Sequence, residues 1–350
     1  MRRTLSVVVA GFITAATPAL AQSQPGSRIV VSEAVRTGPA RAYQGRNSGP
    51  EQTERFSRKV KLDRDGRVSV ANIAGDIVVM GGSGDEVSIE AVKRTRGDRS
   101  ELAAVRITVD ERPGRVEIVT EGEQNRSDRN RRSNHVSVDY TISMPAAAAL
   151  ELRSISGSVK VTGVRGAVRA ETISGDVTAV DTPKLETAKT TSGNVSVTGV
   201  SLEGDLAAAS VSGNVTARNV KAHGLDLGSV SGSITVIDAV CDRLGAKSVN
   251  GSIDYSGAIS KMGRYEITTH SGSVRLALSN PPGFELNANT FSGSIRSDFP
   301  MTIGGTAAND RDRTGRRTMF NSRSMRATYG DGSATLTIRT FSGEIVIAKK

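Results

Sequence analysis

The sequence contains no tryptophan, a single cysteine and three histidines among its 350 residues. With one thiol, Cys241, the chain cannot form a disulfide of its own. Three widely separated histidines and one cysteine lack the paired spacing of a zinc site. Aromatic residues make up only 3% of the chain, whereas glycine occurs 37 times. This composition argues against a large globular core and predicts a thin core of small residues, with no metal and no cofactor.

Long apolar runs are also missing beyond the first 21 residues. Residues 1–21 contain Arg2, Arg3, a short apolar run and the ending Ala19-Leu20-Ala21, a pattern typical of a secretory signal peptide. The run is too short to span a bilayer. We therefore expect cleavage near Ala21, no transmembrane segment in the mature chain, and a location in the periplasm, on the cell surface or outside the cell.

A small-residue step, almost always Ser-Gly, recurs through the middle of the chain at intervals of 18 to 21 residues. Its glycines are Gly157, Gly175, Gly193, Gly213, Gly232, Gly251, Gly272 and Gly293. Two further copies lie apart from this run, at Gly75 and Gly343. Regular self-similarity at such a period indicates a repeat architecture. Each glycine is predicted to form a structural corner, because it lacks a Cβ.

Apolar residues occupy fixed positions around each glycine. They lie seven, five and two residues before it and two and four after it, as Leu152, Ile155 and Val159 do around Gly157. Spacing of two within each flank is strand periodicity. The step from five to two residues before the glycine is odd, so the strand is predicted to change its facing side there and to bury Ile155. In the seventh unit this inward slot holds His270.

Each unit thus predicts two short strands joined by a corner. The few side chains that one unit buries do not offset the entropy lost in ordering it, so a unit is stable only when stacked on others. We predict an all-β fold, a β-solenoid of stacked two-strand coils of about 18–21 residues. Opposite charges at equivalent positions of successive units, such as Glu151 and Arg169, favour stacking in register.

The segments around the repeats are predicted from their composition and turn signals. Residues 22–55 form a polar, disordered leader. Residues 56–149 contain the first coil, at Gly75, and a small antiparallel β cap with a hairpin at Pro113-Gly114, because the end of a solenoid needs covering. The repeats fill residues 150–299. An Arg-rich loop insertion follows at 300–335, and a terminal coil, at Gly343, fills residues 336–350.

These motifs resemble a known family, the exported bacterial β-strand-repeat proteins labelled "putative adhesins", which carry a domain of unknown function. The resemblance rests on the repeated Ser-Gly-(Ser/Asp/Asn)-(Val/Ile) steps, the single unit Ala74-Gly75-Asp76-Ile77, the strand from Val138 that ends in Met144-Pro145, and the unit from Ser342 to Ile345. It covers about residues 56–350. It implies an extracytoplasmic β-solenoid and brings no catalytic residues with it.

Two arginine-rich stretches are the candidate binding sites for an anionic ligand. They contain Arg129, Arg131 and Arg132, and then Arg311, Arg313, Arg316 and Arg317. The formal net charge is +10, and the guanidinium group suits phosphate and carboxylate. No aromatic residues interleave, so nucleic acid is not expected. The partner stays open between an anionic polysaccharide, a lipid head group and another envelope protein, and solvated loop charge is the alternative interpretation.

The sequence favours a non-enzymatic, exported protein of the cell envelope or surface that acts as an adhesin-like interaction module. One alternative is a polysaccharide-active enzyme, because parallel β-helices also host acid-sugar lyases, although outward acids such as Asp226 and Asp254 do not cluster in register. A second alternative is a purely structural or assembly scaffold. No catalytic residue is predicted, and the sequence leaves the reactivity of Cys241 open.

Overall fold

The computed structural model describes residues 50–122, 136–303 and 323–350, and their regular structure is almost entirely β-strand. One short helix, α1 (Ser100–Ala103), accompanies the strands in these ranges. The first strands are β1 (Gln52–Lys61), β2 (Arg67–Ala74), β3 (Ile77–Gly82), β4 (Glu86–Thr95), β5 (Val105–Arg112), β6 (Arg115–Gly122), β7 (Ser137–Pro145), β8 (Ala149–Ser156), β9 (Val159–Thr162), β10 (Val168–Ser174), β11 (Val177–Val180) and β12 (Leu185–Ser192). The others are β13 (Val195–Ser212), β14 (Val215–Ser231), β15 (Ile234–Asn250), β16 (Ile253–Ser271), β17 (Val274–Leu278), β18 (Gly283–Ser292), β19 (Ile295–Ser297), β20 (Thr302–Ile303), β21 (Arg323–Gly330), β22 (Ala334–Ser342) and β23 (Ile345–Lys349).

Successive repeats pair in parallel and in register, which makes the fold solenoid-like. Strands before the corner glycines form one continuous ladder, in the order β2, β8, β10, β12, β13, β14, β15, β16, β22 and β18. Strands after the glycines form the second ladder, from β3 through β9 and β11 to β19. Glu151 lies opposite Arg169, as the charge pattern predicts.

The core between the two ladders is aliphatic and narrow. Residues seven and five before a corner glycine are buried with those two and four after it, as Leu150, Leu152, Val159 and Val161 are around Gly157. The exceptions are Glu186 before Gly193 and both Ile295 and Ser297 after Gly293, which are half-buried. Two tyrosines, Tyr255 and Tyr265, are the largest buried side chains in the middle of the stack. A core of this width suits the small residues of the repeat, since each coil buries only one short row of side chains.

The predicted burial of the residue two before each glycine is wrong. Ile155 is 52% exposed, and His270 is exposed as well. Regular alternation continues through the third residue before the glycine, where a small buried Ser or Thr takes the inward position, as Thr172 does before Gly175. The strand therefore changes its facing side at the Ser-Gly step itself and not three residues earlier.

The middle coils contain a second bend that the two-strand prediction missed. Asp181, Asn219 and Asp238 each lie six residues after a corner glycine and have φ values of 51°, 51° and 53°. Asn and Asp tolerate this left-handed conformation better than other non-glycine residues. In β13 the equivalent residue is Gly199, with a φ of 71°, and in β13 to β15 a third short ladder follows the bend, where Val200, Val220 and Ala239 lie side by side. These coils thus have three sides.

Antiparallel strands extend both ladders beyond the first coil. The hairpin of β5 and β6 adds to the first ladder, because β6 pairs in parallel with β2. Strand β7 pairs in parallel with β3 and antiparallel with β4, which pairs in turn with β1. Lys93 on β4 donates to the carboxylate of Glu54 at 2.9 Å and to the carbonyl oxygen of Leu102 in α1 at 3.3 Å. These bonds fasten the short helix and β1 to the same strand.

The coil that ends the sequence does not end the stack. Strand β22 pairs in parallel with β16 on one side and with β18 on the other. Strand β23 lies in the same way between β17 and β19. The Gly343 coil is therefore inserted between the coils of Gly272 and Gly293. Strand β21 then pairs antiparallel with the free edge of β18.

Candidate functional site

The arginines predicted to bind an anionic ligand lie outside the described residues. This applies to Arg129, Arg131 and Arg132 and to Arg311, Arg313, Arg316 and Arg317. The candidate site must therefore be sought on the solenoid itself, where each coil repeats the same outward positions.

The ten corner glycines lie one above another at the edge where the two ladders meet. A Cβ built on Gly175 would overlap the carbonyl oxygen of Gly157, and every later corner glycine meets the glycine carbonyl of the preceding coil in the same way. Gly175 also has a φ of 138°, which L side chains rarely adopt. Close backbone approach at this edge explains why glycine recurs there.

A column of buried hydroxyl groups supports the corner from within. Thr190 donates to the carbonyl oxygen of Gly175 at 2.8 Å, and Ser210 donates to that of Gly193 at 2.8 Å. Equivalent bonds occur at Thr172, Ser229, Ser248, Thr269, Thr290 and Thr340. In the first coil, the side-chain amide of Asn72 donates to the Gly75 carbonyl at 3.0 Å. These hydroxyls have a structural role.

The side chain of the residue after the glycine bonds between coils in several units. The carboxylate of Asp176 accepts from the main-chain N–H of Asn194 at 2.7 Å, and the side-chain oxygen of Asn194 accepts from that of Asn214 at 3.0 Å. Asp and Asn thus share a hydrogen-bonding role at this position. This role leaves no free acidic row for a metal, and the described residues contain no group of three or more His, Cys, Asp or Glu side chains placed to hold one.

An exposed apolar row, which we call the corner stripe, runs along the outer side of the same corner. It consists of the residues two before the glycines, in stack order Ile73, Ile155, Ile173, Thr191, Val211, Val230, Val249, His270, Phe341 and Phe291. The eight aliphatic and phenyl side chains are each 42% to 53% exposed. At a strand spacing of about 4.8 Å the stripe is roughly 43 Å long. Its outward neighbours on the same strands are largely polar, as Arg153 and Glu171 are.

Aromatic rings stack at the C-terminal end of the corner stripe. The ring of Phe341 lies 4.8 Å from that of His270 on one side and 4.8 Å from that of Phe291 on the other, with interplanar angles of 9° and 5°. Both faces of Phe341 are therefore covered by other rings. Only the ring edges face outward, so Phe341 offers no flat surface for stacking.

A groove accompanies the stripe along the first five coils. It has a volume of about 610 Å³ and includes Ile73, Ile155, Ile173 and Val211 in its lining. Charged side chains at its rim are Arg153, Glu171 and Lys189. The groove is thus apolar along one wall and charged along the other.

A second depression continues from the groove over the following coils. It has a volume of about 510 Å³, and Ala209 lines both it and the groove. Its charged residues are Asp226, Arg243, Lys247, Arg264 and Glu266. Arg243 is paired, at 2.9 Å with Asp205 and at 3.6 Å with Asp226. Among the described residues, Lys247 and Arg264 make no ion pair within 4.0 Å.

The buried thiol lies in the core and not at a reactive site. Burial, together with the neighbouring carboxylate of Asp242, raises the pKa of Cys241 to about 12. Its carbonyl oxygen accepts from the hydroxyl of Tyr265 at 2.5 Å. Tyr255 lies edge-on to Tyr265, with ring centroids 6.1 Å apart. A protonated thiol in this position is a poor nucleophile.

Comparison with known proteins identifies the family to which the fold belongs but no ligand. The model of a family described as Toastrack DUF4097 matches residues 67–348. Similar solved structures include a "putative adhesin" from Bacteroides fragilis (13% identity, 84% of this chain and 97% of that chain, TM-score 0.39), one from Parabacteroides distasonis (13%, 85% and 97%, 0.37) and a "putative cell adhesion protein" from Clostridium sporogenes (12%, 85% and 100%, 0.24). No curated protein matches the chain. In the ranges that the model describes, no helix has the length and apolar character needed to cross a membrane.

Proposed function

Since this chain belongs to the Toastrack DUF4097 family, we propose that it is a non-enzymatic interaction module that is exported after cleavage near Ala21 and binds a macromolecule of the cell envelope or surface. The corner stripe is the binding surface in this proposal. The arginine-rich stretches around Arg131 and Arg316 assist it by attracting anionic partners. This role requires no catalytic group, cofactor or metal.

The observation that carries the proposal is the exposure of the corner stripe. Apolar residues at this position add nothing to the buried core, because the side chain points away from it. Ile173 and Val230 nevertheless stay 53% and 44% exposed, in line with six other apolar residues. Contiguous exposed apolar surface of this kind marks interaction sites in soluble proteins. Because the stripe residues occupy equivalent positions in successive coils, they form a regular row that suits an extended partner.

The test is a binding screen with the mature chain, starting at Gln22, against anionic vesicles, glycans and peptidoglycan at low and moderate salt. An I173S/V230S variant removes apolar surface from the stripe. V240S is the matched control, because Val240 is also 44% exposed but lies on another side of the coil. A third variant replaces Arg311, Arg313, Arg316 and Arg317 with alanine.

We expect binding to one partner class, lost in I173S/V230S and kept in V240S. If the arginine variant loses binding at low salt only, these four arginines attract the anionic partner through long-range electrostatics. Equal binding by all variants would overturn the stripe as the surface. Absence of binding to every class would overturn the proposed function.

A further inference from the structure

We infer that the groove beside the first five coils binds a single extended acyl chain, and that the anionic head of the same molecule lies in the adjoining depression at Lys247 and Arg264. This inference rests on the proposed function and specifies the ligand of one part of the corner stripe. The ligand class is a single-chain anionic amphiphile such as a fatty acid.

The shape of the groove favours a straight, apolar ligand. Its five stripe residues, four apolar ones and Thr191, stand in register on parallel strands, from Ile73 in the first coil to Val211 in the fifth. Four strand intervals span roughly 19 Å. This is the length scale of an extended long-chain fatty acid. Because these residues stand in register on neighbouring strands, a linear chain that crosses the strands can contact each of them in turn.

The chemistry of the groove disfavours a peptide. Strands β8, β10 and β12 each pair with a neighbour on both sides, so their main-chain N–H and C=O groups are already bonded within the ladder. A peptide that adds to a sheet needs an open strand edge. Recognition here must come from side chains.

A glycan is also disfavoured at this place. Sugar rings stack on the open faces of aromatic side chains, and no aromatic residue lines the groove. The rings of the stripe lie at its other end, where His270 and Phe291 cover both faces of Phe341. What the groove offers is aliphatic contact, which suits a hydrocarbon chain.

Charge complementarity places the head of the ligand. The two depressions together are lined by five cations and three carboxylates, namely Arg153, Lys189, Arg243, Lys247 and Arg264 against Glu171, Asp226 and Glu266. Arg153 is held by Glu151 at 2.9 Å, and Arg243 by two aspartates. Lys189, Lys247 and Arg264 make no ion pair within 4.0 Å among the described residues. Lys189 stands beside the middle of the groove, whereas Lys247 and Arg264 lie together beyond its end, where the head of a chain that fills the groove would emerge. Both lie past the end of the groove at Ala209, Lys247 two coils and Arg264 three coils further along the stack.

The experiment titrates the mature chain with cis-parinarate, a fatty acid whose fluorescence rises in an apolar site. The chain has no tryptophan, so energy transfer from tryptophan does not interfere. I155S/I173S removes two groove residues, and V240S is the control, because Val240 is also 44% exposed but lies on another side of the coil. K247Q/R264Q tests the head site, with R275Q, on the second ladder, as its control. Circular dichroism and urea midpoints establish that each variant folds.

We expect saturable binding at one site, weakened about tenfold or more in I155S/I173S and unchanged in V240S. K247Q/R264Q should weaken binding of the acid about threefold and leave the methyl ester of parinaric acid unaffected. Equal loss in I155S/I173S and V240S, or equal loss of acid and ester in K247Q/R264Q, would overturn the inference. Binding of anionic vesicles without binding of parinarate would overturn it too and leave the proposed function standing, whereas loss of both would remove both.

Discussion

The hydroxyl of Thr190 donates a 2.8 Å hydrogen bond to the carbonyl oxygen of Gly175, one coil earlier in the stack. A glycine is needed at position 175 because its backbone closely approaches Gly157, the corner glycine of the preceding coil, and Gly193 of the next coil approaches it in the same way. The hydroxyl of Thr190 is needed because this close approach by Gly193 leaves the Gly175 carbonyl without a main-chain partner in the ladder. The two residues thus form one unit that links consecutive coils. The same unit recurs from the Gly157 coil to the end of the stack.

Replacing Thr190 with valine should destabilise the fold by about 1–3 kcal/mol. Valine keeps the shape of threonine but leaves the buried carbonyl of Gly175 without a donor. The adjacent T191V is the control, because Thr191 is exposed on the corner stripe and its substitution should change stability by less than about 0.5 kcal/mol. Urea unfolding of both variants measures the difference. Equal midpoints would show that the bond contributes nothing.

A G175A substitution should cost at least about 3 kcal/mol or prevent folding. The added Cβ overlaps the Gly157 carbonyl, and the backbone at Gly175 has a φ of 138°. G204A provides a comparison, since Gly204 is exposed and a Cβ there meets only the side chain of Leu202 at 3.8 Å. The comparison variant should keep the wild-type melting temperature. A stable G175A protein would contradict the corner geometry.

The repeat pattern predicted the strands and a solenoid-like stacking of the units in register, since each unit repeats the same alternation of apolar and polar residues. The exposure of Ile155 was not predicted, because an apolar residue near a corner is normally interpreted as core. The polar residues two and four positions before Ile155, Arg153 and Glu151, have the same parity and could have revealed its outward direction. Ser154, which lies between these outward residues, would then have been assigned to the buried side of the strand.

The place of the Gly343 coil could not be predicted from the repeat. Every coil presents nearly the same pattern at both edges, so sequence periodicity alone does not decide which neighbours a distant copy chooses. The stacked rings of His270, Phe341 and Phe291 reveal the order only once the structure places them together. The groove could likewise not be predicted from the sequence, because side chains from five different coils form it.

Cysteine cross-linking should demonstrate the coil order. Residues 270 and 341 lie on paired strands, where neighbouring Cα atoms are about 5 Å apart, a separation that a disulfide can bridge. An H270C/F341C variant should therefore form a disulfide on mild oxidation. H270C/F291C should not, because one strand separates these positions and their Cα atoms lie about 10 Å apart. Cross-linking of the second pair in place of the first would show that the coils stack in sequence order.

Stability should decline in alkali, beginning with the thiol of Cys241. Burial raises the pKa of this thiol to about 12 in the folded chain, and burial likewise raises the pKa of Tyr140 and of Tyr265 to about 12. Because the unfolded chain releases these protons first, at pH values of about 8.5 for cysteine and about 10 for tyrosine, the stabilisation is complete below those values. It is lost as the pH rises toward 12, by at most about 1.4 kcal/mol per pH unit for each group.

Urea midpoints measured from pH 7 to pH 11 test this order of titration. The wild-type midpoint should begin to fall near pH 9, before tyrosine ionises in the unfolded chain. In C241A the midpoint should stay level until about pH 10 and then fall with the tyrosines alone, so that the shapes of the two curves differ whatever the cost of the substitution at pH 7. The native thiol should also resist Ellman's reagent at pH 8. Parallel curves, or a rapid reaction of the folded protein, would show that Cys241 is accessible to solvent and that its burial does not control its ionisation.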